Sequence, residues 1–186
     1  MDNQHSVLSV GHGGTDVHHG ATVPADVGVE LHLQVLEVMQ AKVEWLWSRI
    51  DKFRMAWDDY AVGTREAFAA LLLNRYNVFY EATNDAGPIG LLALNDVHVG
   101  HSANAHALFW DRSFRGREDF VRLWLRSMFK EFKLHRIAAF IPETNRPAWK
   151  FFRRLGMRIE GNLRKAGMHQ GRHVDVIALA AIVEEM

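Results

Sequence analysis

The chain has no cysteine among its 186 residues. Disulfides, thiolate metal sites and a cysteine nucleophile are therefore excluded. No apolar run approaches the roughly 20 residues that a membrane-spanning helix needs. The first residues lack a basic segment followed by an apolar stretch, so no secretory signal is expected, and the expected location is cytoplasmic. No segment repeats with a period of 20–50 residues, which excludes solenoids and propellers. Net charge is also missing overall, with 22 basic against 22 acidic residues.

That balance hides an asymmetry. Residues 1–111 carry 6 Lys/Arg against 14 Asp/Glu, whereas residues 112–175 carry 16 against 6. A basic half calls for an anionic ligand or partner, or for a solvated surface facing the acidic half. Coenzyme A and a nucleic acid both satisfy the first option, although no recognised nucleic-acid motif is present. Hydrophobic residues make up 48% of the chain, enough for a sizeable core in one domain.

Residues 1–28 read as a poorly ordered leader, and 29–186 as a single domain. His5, His12, His18 and His19 in the leader lack the carboxylate or cysteine that would complete a metal-ligand spacing, so no metal is expected. Residues 29–38 alternate apolar and polar, as a half-buried strand does. From Gln40 the period becomes helical through Val43, Leu46, Trp47, Ile50 and Phe53, to about Trp57. Thr64 is a helix N-cap before Phe68, Leu71 and Leu72.

Strands are expected at 76–83 and 89–95, joined by the turn Asn84-Asp85-Ala86-Gly87-Pro88. A loop rich in Gly and His follows, then a strand at 105–110. Residues 119–133 form a strong helix with Val121, Trp124, Leu125, Met128, Phe129 and Phe132 on one face. Ile137–Ile141 is a buried strand. Pro147–Leu155 is a helix with Ala148, Phe151, Phe152 and Leu155 inward, stopped by Gly156. Two strands, at about 158–168 and 173–182, close the chain. The order β-αα-βββ-α-β-α-ββ describes a mixed α/β (α+β) fold around a central, mostly antiparallel sheet flanked by helices.

The last third carries a more specific pattern. Asn145, Ala148, Leu155 and Gly156 fall in the spacing N-x-x-A-x-x-x-x-x-x-L-G. Glu160, Gly161, Leu163 and Arg164 give E-G-x-L-R, and Gly171, Arg172 and Asp175 give G-R-x-x-D. Over residues 135–180 the chain resembles the GNAT superfamily of acyl-CoA N-acyltransferases. It is closest to the branch that acetylates ribosomal-protein N-termini, with Met157 where a Phe is usual.

The resemblance implies acetyl-CoA as acyl donor, with no metal, and a primary amine on a small molecule or protein N-terminus as acceptor. It implies a diphosphate site on the helix after the fourth strand, where a loop presents backbone N–H groups. The matching segment holds Arg112, Arg115, Gly116, Arg117, Glu118 and Asp119. Gly116 matches the first family glycine. Ser113 stands where Gln or Arg is common, and Glu118 where Gly or Ala is common. Trp110, six residues before the loop glycine, lies on the strand that the pantetheine arm follows. Asn145 matches an Asn that contacts that arm, and it also suits helix capping.

Relatives carry a Tyr acid seven residues after this Asn. Here that position is Phe152, without a hydroxyl. His106 shares a strand face with Leu108 and Trp110, and a neutral His suits deprotonation of an amine. His98, His101 and Asp96 are further candidates for the base. Lys150, Arg153 and Arg154 form a basic stripe facing either the CoA phosphates or solvent. Two other readings stay open: a catalytically reduced GNAT domain acting as a binding or assembly module, and a nucleic-acid-associated relative. The sequence also leaves a homo-oligomer open.

Overall fold

The computed structural model describes residues 32–35, 40–50, 52, 63–111 and 116–186. The expected leader, the helix extension from Phe53 to Trp57, and Arg112, Ser113 and Arg115 lie outside the described residues. Among the described residues, seven strands and four α-helices appear in the expected order. They are β1 (His32–Val35), α1 (Gln40–Ile50), α2 (Arg65–Leu73), β2 (Val78–Asn84), β3 (Gly87–His98), β4 (Ser102–Phe109), α3 (Arg117–Glu131), β5 (Arg136–Pro142), α4 (Arg146–Arg154), β6 (Arg158–His169) and β7 (Arg172–Ile182). The strands form one sheet in the order β1-β2-β3-β4-β5-β7-β6. Each neighbouring pair is antiparallel except β4 and β5, which run parallel.

Local chemistry sets the element ends. The Thr64 hydroxyl accepts from the Ala67 N–H at 3.2 Å, a cap worth about 1 kcal/mol. Asn145 does the same for α4 through the Ala148 N–H, with Pro147 in the first turn where its missing N–H costs nothing. Gly156 takes φ 106 and ends α4; a Cβ there would strain the backbone. The β2–β3 turn is tighter than expected: only Asp85 and Ala86 lie between the strands, and Gly87 and Pro88 already pair with Asn84 and Thr83.

The segment read as a Gly/His loop differs. β3 continues to His98 and β4 begins at Ser102, leaving only a tight turn. Asn95 pairs with Asn104 and His98 with Ser102. Polar residues of weak strand propensity are carried into the sheet by pairing on both flanks.

Helices cover both faces of the sheet. On one, Phe120, Val121, Trp124, Leu125, Met128 and Phe129 of α3, with Phe152 of α4, pack on a cluster that includes Ala103, Ala105, Ile137, Ala139 and Leu179. On the other, Val43, Leu46 and Ile50 of α1 and Phe68 and Leu72 of α2 pack on Phe79, Leu91, Ala93 and Leu108. Each large side chain fully buried this way contributes about 1.5–3 kcal/mol. The alternation along β4 thus points Ala103, Ala105 and Ala107 to the α3/α4 face, and Asn104, His106 and Leu108 to the α1/α2 face.

Candidate active site

The two parallel strands do not stay together. β4 and β5 pair only over Ser102–Arg136, Ala103–Ile137 and Asn104–Ala138. Beyond the Asn104–Ala138 row, β4 runs on to Phe109 against β3, and β5 runs on to Pro142 against β7. A wedge opens between them. Strand edges beside such a wedge offer backbone groups to an extended ligand, as in strand addition.

At the wide end of the wedge, Phe109 of β4 packs edge-on against Phe120 of the first turn of α3, and α4 follows β5 after three residues. Gly116 precedes α3 with φ 85, and no atom lies within 4 Å of where a Cβ would stand. The first-turn N–H groups of α3 have no intrahelical acceptor, and the dipole favours negative charge there. Glu118 and Asp119 occupy that turn. Their charges are engaged: Arg154 Nε donates to Glu118 Oε1 at 2.6 Å, and Asp119 pairs with Arg122. Arg154 comes from the last turn of α4, so the two helix ends are tied together. Of the expected basic stripe, Lys150 instead lies 5.7 Å above the Trp149 ring.

The remaining expected site residues are placed as follows. Asn145 caps α4 beside the end of β5. Phe152 is 4% exposed and packs edge-on against Phe151 in the α3/α4 core. Trp110 donates its indole N–H to the Pro88 carbonyl at 2.7 Å and packs edge-on against Trp45 of α1. It therefore stands on the α1/α2 face, the side that His106 also faces.

His106 lies two residues past the last β4–β5 row. Burial pushes its pKa down to about 4, against a smaller upward pull from the Asp96 carboxylate. Its imidazole is thus neutral near pH 7, and the same burial lowers its basicity. Asp96, at the register shift of β3 between Asn95 and His98, takes a left-handed conformation, φ 51, and accepts from the Asn104 amide at 3.1 Å. His98 and His101 belong to the exposed β3–β4 turn at the closed end of the wedge.

Sequence reasoning missed two residues here. Phe140 of β5 is the counterpart of His106, two residues past the same row on the opposite strand, and it is 46% exposed. An aromatic exposed within a strand otherwise read as buried was the only sign. Arg154 gave no sign of its partner 36 residues away. A separate cavity of about 460 Å³ lies beyond α4, lined by Glu143, Thr144, Arg146, Trp149, Lys150 and Ile177. Among the described residues no group of His, Asp and Glu side chains is arranged to hold a metal ion. None of their helices is long and apolar enough to cross a membrane.

No protein-family model matches the chain, and no curated protein is similar to it in sequence. Solved structures are similar in shape. Spermidine N-acetyltransferase from Vibrio cholerae, in complex with CoA and spermine, superposes with a TM-score of 0.68 at 17% identity, over 83% of this chain and 96% of that one. The same enzyme in complex with manganese ions gives 0.64 at 16% identity, over 83% and 93%. At such identities the likeness concerns the backbone. The matched chain course, with its splayed parallel pair, gives this protein the GNAT fold of those neighbours.

Proposed function

We propose that the protein is an acyl-CoA-dependent N-acyltransferase, acting with acetyl-CoA on a primary amine. The observation that carries this reading is the wedge between β4 and β5, opening directly onto the Gly116 start of α3. One element offers strand edges to an extended pantetheine arm. The other offers N–H groups and a helix dipole to a diphosphate. Trp110, Arg112, Arg115, Gly116, Arg117, Asp119 and Asn145 are the binding residues of this reading, with Glu118 held off the phosphates by Arg154.

The chemistry follows from placement. The amine lone pair attacks the thioester carbonyl carbon from the α1/α2 side, and His106 takes the ammonium proton as the C–N bond forms. Collapse breaks the C–S bond and releases the CoA thiolate, which solvent protonates. Phe152 has no hydroxyl for that last step, and a thiolate leaves readily without an acid. Orientation of two substrates in one wedge supplies most of the acceleration.

The E-G-x-L-R and G-R-x-x-D segments support the finer assignment to the branch that acetylates ribosomal-protein N-termini. They fall on β6 and at the start of β7. The domain is taken as 29–186 and the location as cytoplasmic. A reduced, non-catalytic binding module is the second reading, favoured by Glu118 at the helix start and by Phe152. Incubation with acetyl-CoA and a panel of amines, with thiol release as readout, separates the two. Transfer supports the enzyme. Acetyl-CoA binding without transfer to any amine supports the module.

A further inference from the structure

The two walls of the wedge differ on the acceptor side. The Asn104–Ala138 row fixes the register, so His106 on β4 and Phe140 on β5 face each other across the opening. Phe140 pairs with Ala178, and Pro142 with Val176, which pairs in turn with Leu163. Directly paired residues share a sheet face. Phe140, Ala178, Pro142, Val176 and Leu163 therefore form one uncharged surface running away from His106. Phe140 is 46% and Leu163 43% exposed. Among the described residues, α1 and α2 pack on the β2–β4 side and leave Phe140 and Leu163 open, whereas Pro142 and Val176 between them are buried.

Among the described residues, three carboxylates of the sheet are already engaged. Glu81 meets Lys42 of α1 at 3.3 Å, Glu160 is held by Arg136 in a two-pronged pair, and Asp96 takes the Asn104 amide. Lys42 and Arg49 flank Trp45 on the facing helix. A polycation entering here would lose hydration and meet cations and apolar carbons.

We infer that Phe140, backed by Ala178 and Leu163, is the specificity wall of the acceptor site and selects primary amines borne next to an apolar group over polyamines. This rests on the acyltransferase reading and adds the acceptor class. The apolar group covers Phe140 while its amine reaches the thioester carbon beside His106. The burial holds the nucleophile in line, as remote binding contributes to orientation at a reacting centre.

The test is acetyl transfer to phenethylamine, to a short peptide with an apolar N-terminal residue, and to spermidine. The wild-type protein should favour the first two over spermidine at least tenfold in kcat/KM. Phe140→Glu should lower the apolar amines at least tenfold and raise spermidine, leaving the KM for acetyl-CoA unchanged. Leu163→Glu should do the same more weakly. Preference for one apolar acceptor over the other distinguishes a small amine from a peptide. Equal or better use of spermidine by the wild type, or a ratio unmoved by Phe140→Glu, overturns the inference. If no amine is acetylated, the acyltransferase reading fails instead. Calorimetric binding of phenethylamine then decides the wall alone: weakening by Phe140→Glu sustains it, and equal or absent binding in both proteins overturns it.

Discussion

Arg154 at the end of α4 donates to Glu118 in the first turn of α3, at 2.6 Å. The pair answers a difficulty raised by the sequence, where a carboxylate stands at a helix start proposed to hold a diphosphate. Half-exposed, it contributes at most about 1 kcal/mol to stability. Its larger effect is on the local field. Arg154→Ala should weaken acetyl-CoA binding roughly two- to five-fold at low salt, the range of a charge of about 0.3–1 kcal/mol at a helix end. Glu118→Gly should tighten it, because Arg154 is then available to the phosphates. Calorimetry at low and high salt checks both, and both effects should shrink as salt rises.

Gly116 is constrained by conformation, since space around it is open. At φ 85 any L side chain is strained, by about 1–2 kcal/mol. Gly116→Val should lose that much in denaturant unfolding and should also bind acetyl-CoA less well. Gly116→Asn should recover part of the stability, because Asn tolerates the left-handed region. Equal stability of all three would mean that the helix start is not held in this conformation.

His106 makes the stability depend on pH in one direction. In the fold it stays neutral down to about pH 4, whereas an unfolded histidine takes a proton near pH 6.5. Between these values the unfolded chain binds more protons, so stability falls as pH drops from about 6.5 toward 4. The full loss is on the order of 1–3 kcal/mol, less where water reaches the ring. His106→Gln should lack this component when unfolding is followed at several pH values. In transfer assays it should lower kcat about 10²-fold or more, without altering acetyl-CoA binding.

Phe152 sits in packed core, so a hydroxyl cannot be added there without consequence. Phe152→Tyr should fold but lose about 1–3 kcal/mol if its hydroxyl stays buried and unpaired. Part of that loss should return when acetyl-CoA is bound, if the ring edge borders the thioester. A thermal melt with and without acetyl-CoA distinguishes the cases. No recovery would place Phe152 away from the reacting sulfur.

The element order was legible because its markers are local. Thr64, Asn145, Pro147 and Gly156 act through their own backbone geometry, and the α3 stripe from Val121 to Phe129 repeats at helical spacing. The β3–β4 hairpin was not legible. Asn95, His98, Ser102 and Asn104 have weak strand propensity, and only pairing with neighbours holds them in the sheet. The wedge, which the resemblance implies, could not be read from the strands' own residues. Nothing within Ala105–Phe109 or Ala139–Pro142 states that two parallel strands part after three rows; that is fixed by which strands lie outside them. His106 could be assigned its strand face from alternation, but its neutral state depends on burial that only the folded sheet supplies.

Binding of acetyl-CoA to the free protein tests the central claim most directly. The wedge and the α3 start should take it as one molecule per chain, seen as heat in calorimetry. Ligand at about 100 times its dissociation constant should stabilise the fold by about 2.7 kcal/mol, with a matching rise in Tm. Gly116→Val should reduce both signals. Absence of heat and of any thermal shift at millimolar acetyl-CoA would contradict the account and leave the chain with the fold alone.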